Sequence, residues 1–327
     1  MQTVAVLYQD ENDRKLWEAP LKGIPGLLSI TVGGNLTASL EALRAIASTL
    51  RVVILSARLY PEENPELAAR VRAVSSGSEL LLISSSREPS PPLLPLFADN
   101  VRHLAIDGPE GDRPVTGYLP AVVSMLVDRI PWEIGSCLRA GTPIHSFPLG
   151  SSEEKESLIG ALEAALSGEG EEYEMLRQKG ALLADELLEN ALNGAPRGTD
   201  GSKLFKKGAK RTMLPQERIV FSFGFDGETL ALKLTDSWGT LEPELVMEYL
   251  ARNQEEGTCA DDAGGRGLFI IWRFLEQFHV NIHPGQETVV GGHLQLSSRL
   301  DLETPRGFHI TAHQKEMQHE YPANRKF

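Results

Sequence analysis

A carboxylate and a carboxamide stand four residues apart in the stretch 181–194, as Glu186 and Asn190. Apolar residues around them recur at helical spacing, and Gly194 followed by Pro196 ends the pattern, so the stretch predicts a helix. Side chains four apart project from one helix face, one turn apart. Such a pair can hold a water molecule and a hard cation together, although a solvated polar helix edge has the same pattern.

A second carboxylate, Asp236, follows two alternating apolar runs, 218–225 and 228–235, that are joined by an Asp-Gly pair. This pattern predicts a β-hairpin whose second strand ends at Asp236. Gly239 lies in the turn that follows. Without other motifs, Asp236 would be interpreted as an ordinary turn residue.

A glycine-rich turn precedes the apolar run 268–271 and consists of Gly264, Gly265, Arg266 and Gly267. The run predicts a helix that begins at these glycines. Backbone amides at a helix start point outward and favour an anion.

Taken in order, the three motifs resemble the N box, G1 box and G2 box of the gyrase, heat-shock chaperone, histidine kinase and mismatch-repair ATPase superfamily. The resemblance covers roughly residues 140–300 and is closest to the anti-sigma-factor serine kinases. It implies an α+β two-layer domain of the histidine-kinase type.

The resemblance also implies ATP and Mg²⁺ as cofactors. Asp236 corresponds to the adenine-reading aspartate, because an ionised carboxylate accepts the hydrogen bonds that the adenine amine donates. Asn190 corresponds to the Mg²⁺ ligand and Glu186 to the catalytic general base. The residues implied to contact the nucleotide are Asn190, Asp236, Gly239, Gly264, Gly265, Arg266 and Gly267.

The implied activity is that of a protein serine/threonine kinase acting on a regulatory partner protein, either an anti-sigma antagonist or a sigma-like factor. Two alternatives stay open: a non-catalytic ATP-dependent module that sequesters a partner, and a histidine-kinase relative without its own phosphoacceptor. The nearest phosphoacceptor candidate, His145, lies between prolines in a strand-like context. Trp238 stands where the family G1 box has glycine, so it would stack near the base, close the pocket or weaken binding.

The polar stretch 195–216 is rich in glycine, lysine and arginine. It would contact phosphate, dock an acidic partner or form a solvated loop, and the last is the usual outcome for loop charges. Residues 242–265 stand where the family has its ATP lid.

Short apolar runs and helical patterns alternate through residues 1–130, which predicts a parallel sheet covered on both faces. The pattern of 51–72 resembles a response-regulator receiver domain, which implies a flavodoxin-like fold. Ser56 stands where a receiver has its phosphoacceptor Asp. Asp10 and Glu11 would form a residual cation site or cap a helix. We therefore expect a pseudo-receiver used for docking or dimerisation.

The expected organisation is α/β overall, with a receiver-like domain at 1–130, a linker at 131–140, the ATPase domain at 141–300 and a tail at 301–327. The net charge of −13 argues against a nucleic-acid partner. The two cysteines form no close pair, which fits a reducing compartment. No charged leader or membrane-length apolar run is present, so we expect a cytoplasmic protein that does not bind membranes.

Overall fold

The apolar runs of the first 107 residues form five parallel strands. The structure, a computed structural model, describes residues 2–33, 35–60, 66–85, 88–89, 91–107, 118–256, 266–297 and 305–313. The strands are β1 (Thr3–Tyr8), β2 (Leu27–Thr31), β3 (Leu50–Ser56), β4 (Glu79–Ser85) and β5 (His103–Asp107). They pair in the order β2-β1-β3-β4-β5. Residues 52–55 are fully buried because helices cover both faces of a parallel sheet.

In the described ranges, five α-helices cover this part of the sheet. They are α1 (Glu11–Trp17), α2 (Leu36–Ala45), α3 (Leu67–Val74), α4 (Leu93–Ala98) and α5 (Tyr118–Asp128). Apolar side chains of α1 and α5 pack with Val4 and Val6 on one face. Those of α2, α3 and α4 pack with Ala5 and Leu7 on the other. This division follows from the alternation of side chains along a strand.

The second half of the chain forms antiparallel strands covered by four helices. The strands are β6 (Ile144–Pro148), β7 (Ile219–Phe225), β8 (Thr229–Asp236), β9 (Gln277–His283) and β10 (Glu287–Gln295). The helices are α6 (Lys155–Ala165), α7 (Glu171–Glu189), α8 (Pro243–Glu256) and α9 (Arg266–Phe274). The predicted hairpin of β7 and β8 is confirmed. Asp226 Oδ1 accepts from the amides of Glu228 and Thr229, which closes the turn.

One further strand corrects the expectation of a tail at 301–327. Gly307–Ala312 form β11, which lies antiparallel to β5 and parallel to β9. Phe308 and Ile310 are fully buried, so the strand is part of the core. Residues 314–327 of the expected tail lie outside the described part.

Because of β11, the two halves share one mixed sheet of eleven strands, in the order β2-β1-β3-β4-β5-β11-β9-β10-β8-β7-β6. The fold is therefore mixed α/β, as expected, with a large mixed sheet. The expected linker 131–140 also packs on the sheet, since Trp132 and Ile134 are buried beside α5. Within the described ranges, no helix has both the length and the apolar character needed to cross a membrane.

Candidate functional site

The helix predicted for residues 181–194 is the C-terminal part of α7 together with one wider turn. Residues 190–194 continue α7 as a π-helical turn, in which the amide of Ala195 donates to the carbonyl of Asn190 at 2.7 Å. Leu183, Leu187 and Leu188 are buried and anchor α7 on the sheet. Such π-helical turns are frequent at functional sites because they reorient the side chains of one turn.

The start of α9 lies directly against Glu186 and Asn190. A Cβ atom on residue 267 would lie 2.7 Å from Glu186 Oε2 and 3.1 Å from Asn190 Nδ2. A side chain at residue 267 would force the Glu186 carboxylate to move, and the structure brings Glu186, Asn190 and Gly267 together. Asn190 Nδ2 is buried and has no hydrogen-bond partner among the described residues. A buried amide normally has one, so this position suits a ligand.

Basic residues of the polar stretch 195–216 lie around this region, and Arg197 and Lys203 line a cavity that includes Asn190. Lys207 Nζ lies 3.8 Å from Glu186 Oε1, although the lysine side chain remains 78% exposed. Arg211 donates through Nε to the carbonyl of Leu192 at 2.9 Å. The stretch is also fixed through Glu189, which accepts from the amide of Gly208 at 2.8 Å. Much of the stretch is thus packed against α7 instead of lying free in solvent.

Asp236 ends β8 and is only 4% exposed. Its carboxylate accepts hydrogen bonds from the backbone amides of Trp238, at 2.9 Å, and Gly239. Burial disfavours the charged form and raises the pKa of Asp236 to about 7. The hydrogen bonds from the two amides lower this pKa, whereas the negative charges of Glu217 and Glu287 raise it further. A ligand that donates hydrogen bonds to this carboxyl group would therefore favour its ionised form.

Thr288 is a site residue that the sequence analysis missed. It pairs with Asp236 across β8 and β10. Its side chain is 3% exposed, and its hydroxyl has no hydrogen-bond partner in the described part of the chain. The register of the two strands is the only signal that links Thr288 to Asp236, and that register is not readable from a single run of sequence.

A cavity of about 130 Å³ connects Asp236 and Thr288 with Asn190. Its volume exceeds the roughly 30 Å³ that a water molecule occupies in the liquid, so it has room for a small ring. Most of its walls are apolar, as is typical of ligand pockets. The lining residues are Leu187, Asn190, Ala191, Gly194, Ala195, Arg197, Lys203, Leu234, Asp236, Thr240, Leu241, Leu245, Tyr249, Leu268, Thr288 and Val290.

Gly239 and Trp238 support Asp236 from outside the cavity. Gly239 has φ +56°, and a Cβ atom there would lie 2.2 Å from the carbonyl oxygen of His283. Trp238 Nε1 donates to Glu217 Oε1 at 3.0 Å. Neither residue lines the cavity. Both residues contact Asp236 through their backbone amides.

Glu217, which accepts from Trp238, forms a buried bidentate ion pair with Arg211, with both N–O distances 2.6 Å. Burial raises the pKa of Glu217, but hydrogen bonds from Arg211, the amide of Leu214 and Trp238 outweigh burial and leave it below its ordinary value. The buried carboxylates of Asp236 and Glu217 thus lie near the turn after β8. In the described part of the chain, Glu217 has an ion-pair partner and Asp236 has none.

The predicted glycines Gly264 and Gly265 lie outside the described residues, as does part of the expected lid. Arg266 is the first residue of α9 and is exposed. Leu245 and Tyr249 of α8 do line the cavity. Among the described residues, no group of three or more His, Cys, Asp or Glu side chains is arranged to hold a metal ion.

The receiver-like half has a different arrangement at the position of Ser56. Ser56 Oγ donates to Asp13 Oδ1 at 2.9 Å, and Asp13 is fully buried. Asp10 caps α1 by accepting from the amides of residues 12 and 13, and Glu11 pairs with Arg14 at 2.9 Å. Asp10 and Glu11 thus stabilise the first turn of α1. Asp13 was not singled out from the sequence.

No protein-family model matches the chain, and a search of curated proteins gave no match either.

Proposed function

We propose that the chain is a Mg-ATP-binding signalling regulator and that its second half is a protein serine/threonine kinase of the anti-sigma-factor type. One observation carries the proposal: a buried carboxylate, Asp236, and a hydroxyl without a partner in the described part of the chain, that of Thr288, line an apolar cavity that reaches Asn190. The layer of α6 to α9 on an antiparallel sheet supports a histidine-kinase-type ATPase domain.

Asp236 and Thr288 would read the adenine base. The ionised carboxylate of Asp236 accepts from the exocyclic amine, whereas guanine has a carbonyl group at that position. Thr288 can both donate and accept, so its hydroxyl suits a ring nitrogen or a bridging water. The apolar walls would cover the faces of the ring.

Asn190 would hold Mg²⁺, together with phosphate oxygens and waters, as this ion prefers few protein ligands. When bound, Mg²⁺ neutralises charge on the phosphates. Asn190 Oδ1 would be the ligand of the ion, and Gly267 leaves space beside it. The buried Nδ2, which has no partner among the described residues, would donate to a phosphate oxygen. Arg197 and Lys203 line the same cavity and would attract phosphate.

Glu186 would orient the partner's serine or threonine hydroxyl and take its proton. Labelled ATP, Mg²⁺ and a partner protein that binds the chain provide the test. Glu186→Gln should still bind ATP but transfer phosphate about 10²–10⁴-fold more slowly, the usual contribution of a general base. Asp185→Asn is the matched control, because Asp185 is the preceding carboxylate on α7 and pairs with Lys155 at 2.7 Å. Unchanged transfer by Glu186→Gln would remove Glu186 from the mechanism.

A second candidate is a non-catalytic, ATP-dependent binding module. The contact of Lys207 with Glu186 favours it, since a cation at 3.8 Å competes for the oxygen that would accept a proton. The two candidates differ in one result. A kinase should transfer phosphate to a bound partner, and Lys207→Ala should leave or increase that transfer, whereas a binding module transfers none with either form.

For the first half we propose a flavodoxin-like pseudo-receiver that docks a regulatory partner or a second copy of the chain. The parallel strand order β2-β1-β3-β4-β5 supports this assignment, because it is the order of that fold. Ser56, hydrogen-bonded to Asp13, supports the loss of phosphoacceptor chemistry.

A further inference from the structure

A second and larger cavity lies where β11 joins the two halves of the sheet. Its volume is about 490 Å³, within the range of about 300–1,000 Å³ that is usual for ligand pockets. We call it the seam cavity. Its polar lining comes from both halves and includes Arg72, Arg102, Arg129, His103, Asn281 and His313.

The seam cavity is positively charged in a chain whose net charge is −13. Three guanidinium groups, those of Arg72, Arg102 and Arg129, line it together with one carboxylate, that of Glu79. Arg102 also pairs with Glu244 at 2.8 Å. Burial lowers the pKa of Arg72, since the attraction of nearby acids does not outweigh the loss of hydration. An anion in the cavity would therefore meet positive charge that its neighbours leave only partly compensated.

The backbone around the arginines is fixed by two helix ends. Asn100 and Arg129 are the non-glycine residues with positive φ in the described ranges, at +52° and +54°. Each follows the end of a helix, α4 and α5 respectively. Arg72 Nη2 donates to the carbonyl of Asn100 at 2.7 Å, and Arg129 Nη2 contacts the carbonyl of Gly77 at 3.4 Å. Asn100 and Arg129 both close Schellman turns, since the amides of Val101 and Ile130 donate to the carbonyls of Leu96 and Met125, and these turns fix the backbone beside the arginines.

Two buried polar atoms indicate what else the ligand carries. His103 Nδ1 and Asn281 Oδ1 are buried and have no hydrogen-bond partner within the described chain. The side-chain amide of Asn281 already donates to Thr311 Oγ1 at 2.6 Å, which leaves Oδ1 as an acceptor. His103 Nε2 faces Glu79 at 3.6 Å, so in the neutral ring Nε2 carries the proton and Nδ1 accepts. Both atoms would accept from hydroxyl groups.

We propose that the seam cavity binds a small phosphorylated polyol, such as a sugar phosphate. The phosphate lies among the arginines, and hydroxyl groups donate to His103 Nδ1 and Asn281 Oδ1. Buried polar atoms are normally paired, and this ligand would pair both. The site is separate from the nucleotide cavity, with which it shares no lining residue.

Calorimetry on the full chain tests the proposal with glucose 6-phosphate, ribose 5-phosphate and glycerol 3-phosphate as probes. Inorganic phosphate and glucose are the control probes, because each carries only one of the two parts of the proposed ligand. At least one phosphorylated polyol should bind more tightly than inorganic phosphate, and glucose alone should bind least. Binding of none of the three, or equal binding of inorganic phosphate, would overturn the proposal.

Three variants locate the binding site. Arg129→Gln removes a charged contact at an exposed position, so it should weaken binding by about tenfold or more. Arg139→Gln is the matched control, because Arg139 is exposed and pairs with Glu228 at 2.6 Å elsewhere. Arg197→Gln alters the nucleotide cavity and should not change binding of the sugar phosphate. Weakening by Arg197→Gln but not by Arg129→Gln would place the ligand in the nucleotide cavity and refute the seam site.

Discussion

Replacing Asp236 by asparagine should stabilise the fold at pH 8, although it removes the carboxylate proposed to read adenine. The pKa of Asp236 rises from 3.8 to about 7 in the folded chain. A raised folded-state pKa means that stability is complete below about pH 4 and declines as the pH rises through 7. At about 1.36 kcal/mol per pKa unit, the ionised group costs about 4 kcal/mol at pH 8.

Asparagine avoids this cost but introduces buried N–H groups, which cost about 1–3 kcal/mol when unpaired. The net gain expected at pH 8 is therefore about 1–3 kcal/mol. Integrating the linkage relation, the advantage of Asp236→Asn should shrink by about 2–3 kcal/mol at pH 5. Asparagine keeps the acceptor for the amide of Trp238, so the turn after β8 should be preserved.

Urea-induced unfolding at pH 8 and pH 5 measures these differences. Glu217→Gln is the matched control, because Glu217 is equally buried but paired with Arg211. Breaking a buried pair costs about 3–5 kcal/mol, so this variant should change stability in the opposite direction. If Asp236→Asn is less stable than the wild type at pH 8, or its advantage is independent of pH, the account of Asp236 is refuted.

The pKa of Asp236, the space at Gly267 and the serine at position 56 each support one further prediction. Adenosine should bind about tenfold more weakly at pH 6 than at pH 8, because a pKa of about 7 leaves Asp236 mostly protonated at pH 6. Calorimetry at the two pH values would measure this difference, and stronger binding at pH 6 would contradict the prediction. Gly267→Ala should weaken Mg-ATP binding by about tenfold or more, because the added methyl group would lie 2.7 Å from Glu186 Oε2. The control is Gly160→Ala on α6, where the methyl group would meet open space and should leave binding unchanged. Acetyl phosphate should leave the first half without an acyl phosphate, since Ser56 replaces the acceptor aspartate, and mass spectrometry would detect the contrary result.

The parts of the fold that depend on local patterns were predictable from the sequence. Parallel strands buried on both faces have continuous apolar runs, and β1, β3 and β4 are such runs, so the alternation through residues 1–130 predicted a parallel sheet. An Asp-Gly turn fixed the β7–β8 hairpin, because few residues accept φ of +92° as Gly227 does. Both the apolar runs and the Asp-Gly turn lie within about ten residues of the strands that they predict.

The features that were missed depend on partners distant in sequence. β11 has only Phe308 and Ile310 as strong apolar residues, and it becomes a strand because β5 and β9 present open edges on both sides. Thr288 joins the site only through its register with β8. Likewise, the indole of Trp238 turns to Glu217, a residue on the far side of the hairpin. None of these contacts has a local sequence signature.

Calorimetric titration of ATP and GTP with Mg²⁺, on the wild type and on Asp236→Asn, tests the central claim most directly. ATP should bind the wild type at least about tenfold more tightly than GTP, since a hydrogen bond to a charged group contributes about 1.5–3 kcal/mol. Asp236→Asn should lose most of that preference while remaining folded. Equal affinity of the wild type for ATP and GTP, or an unchanged preference in Asp236→Asn, would contradict the assignment of Asp236 as the adenine-reading residue.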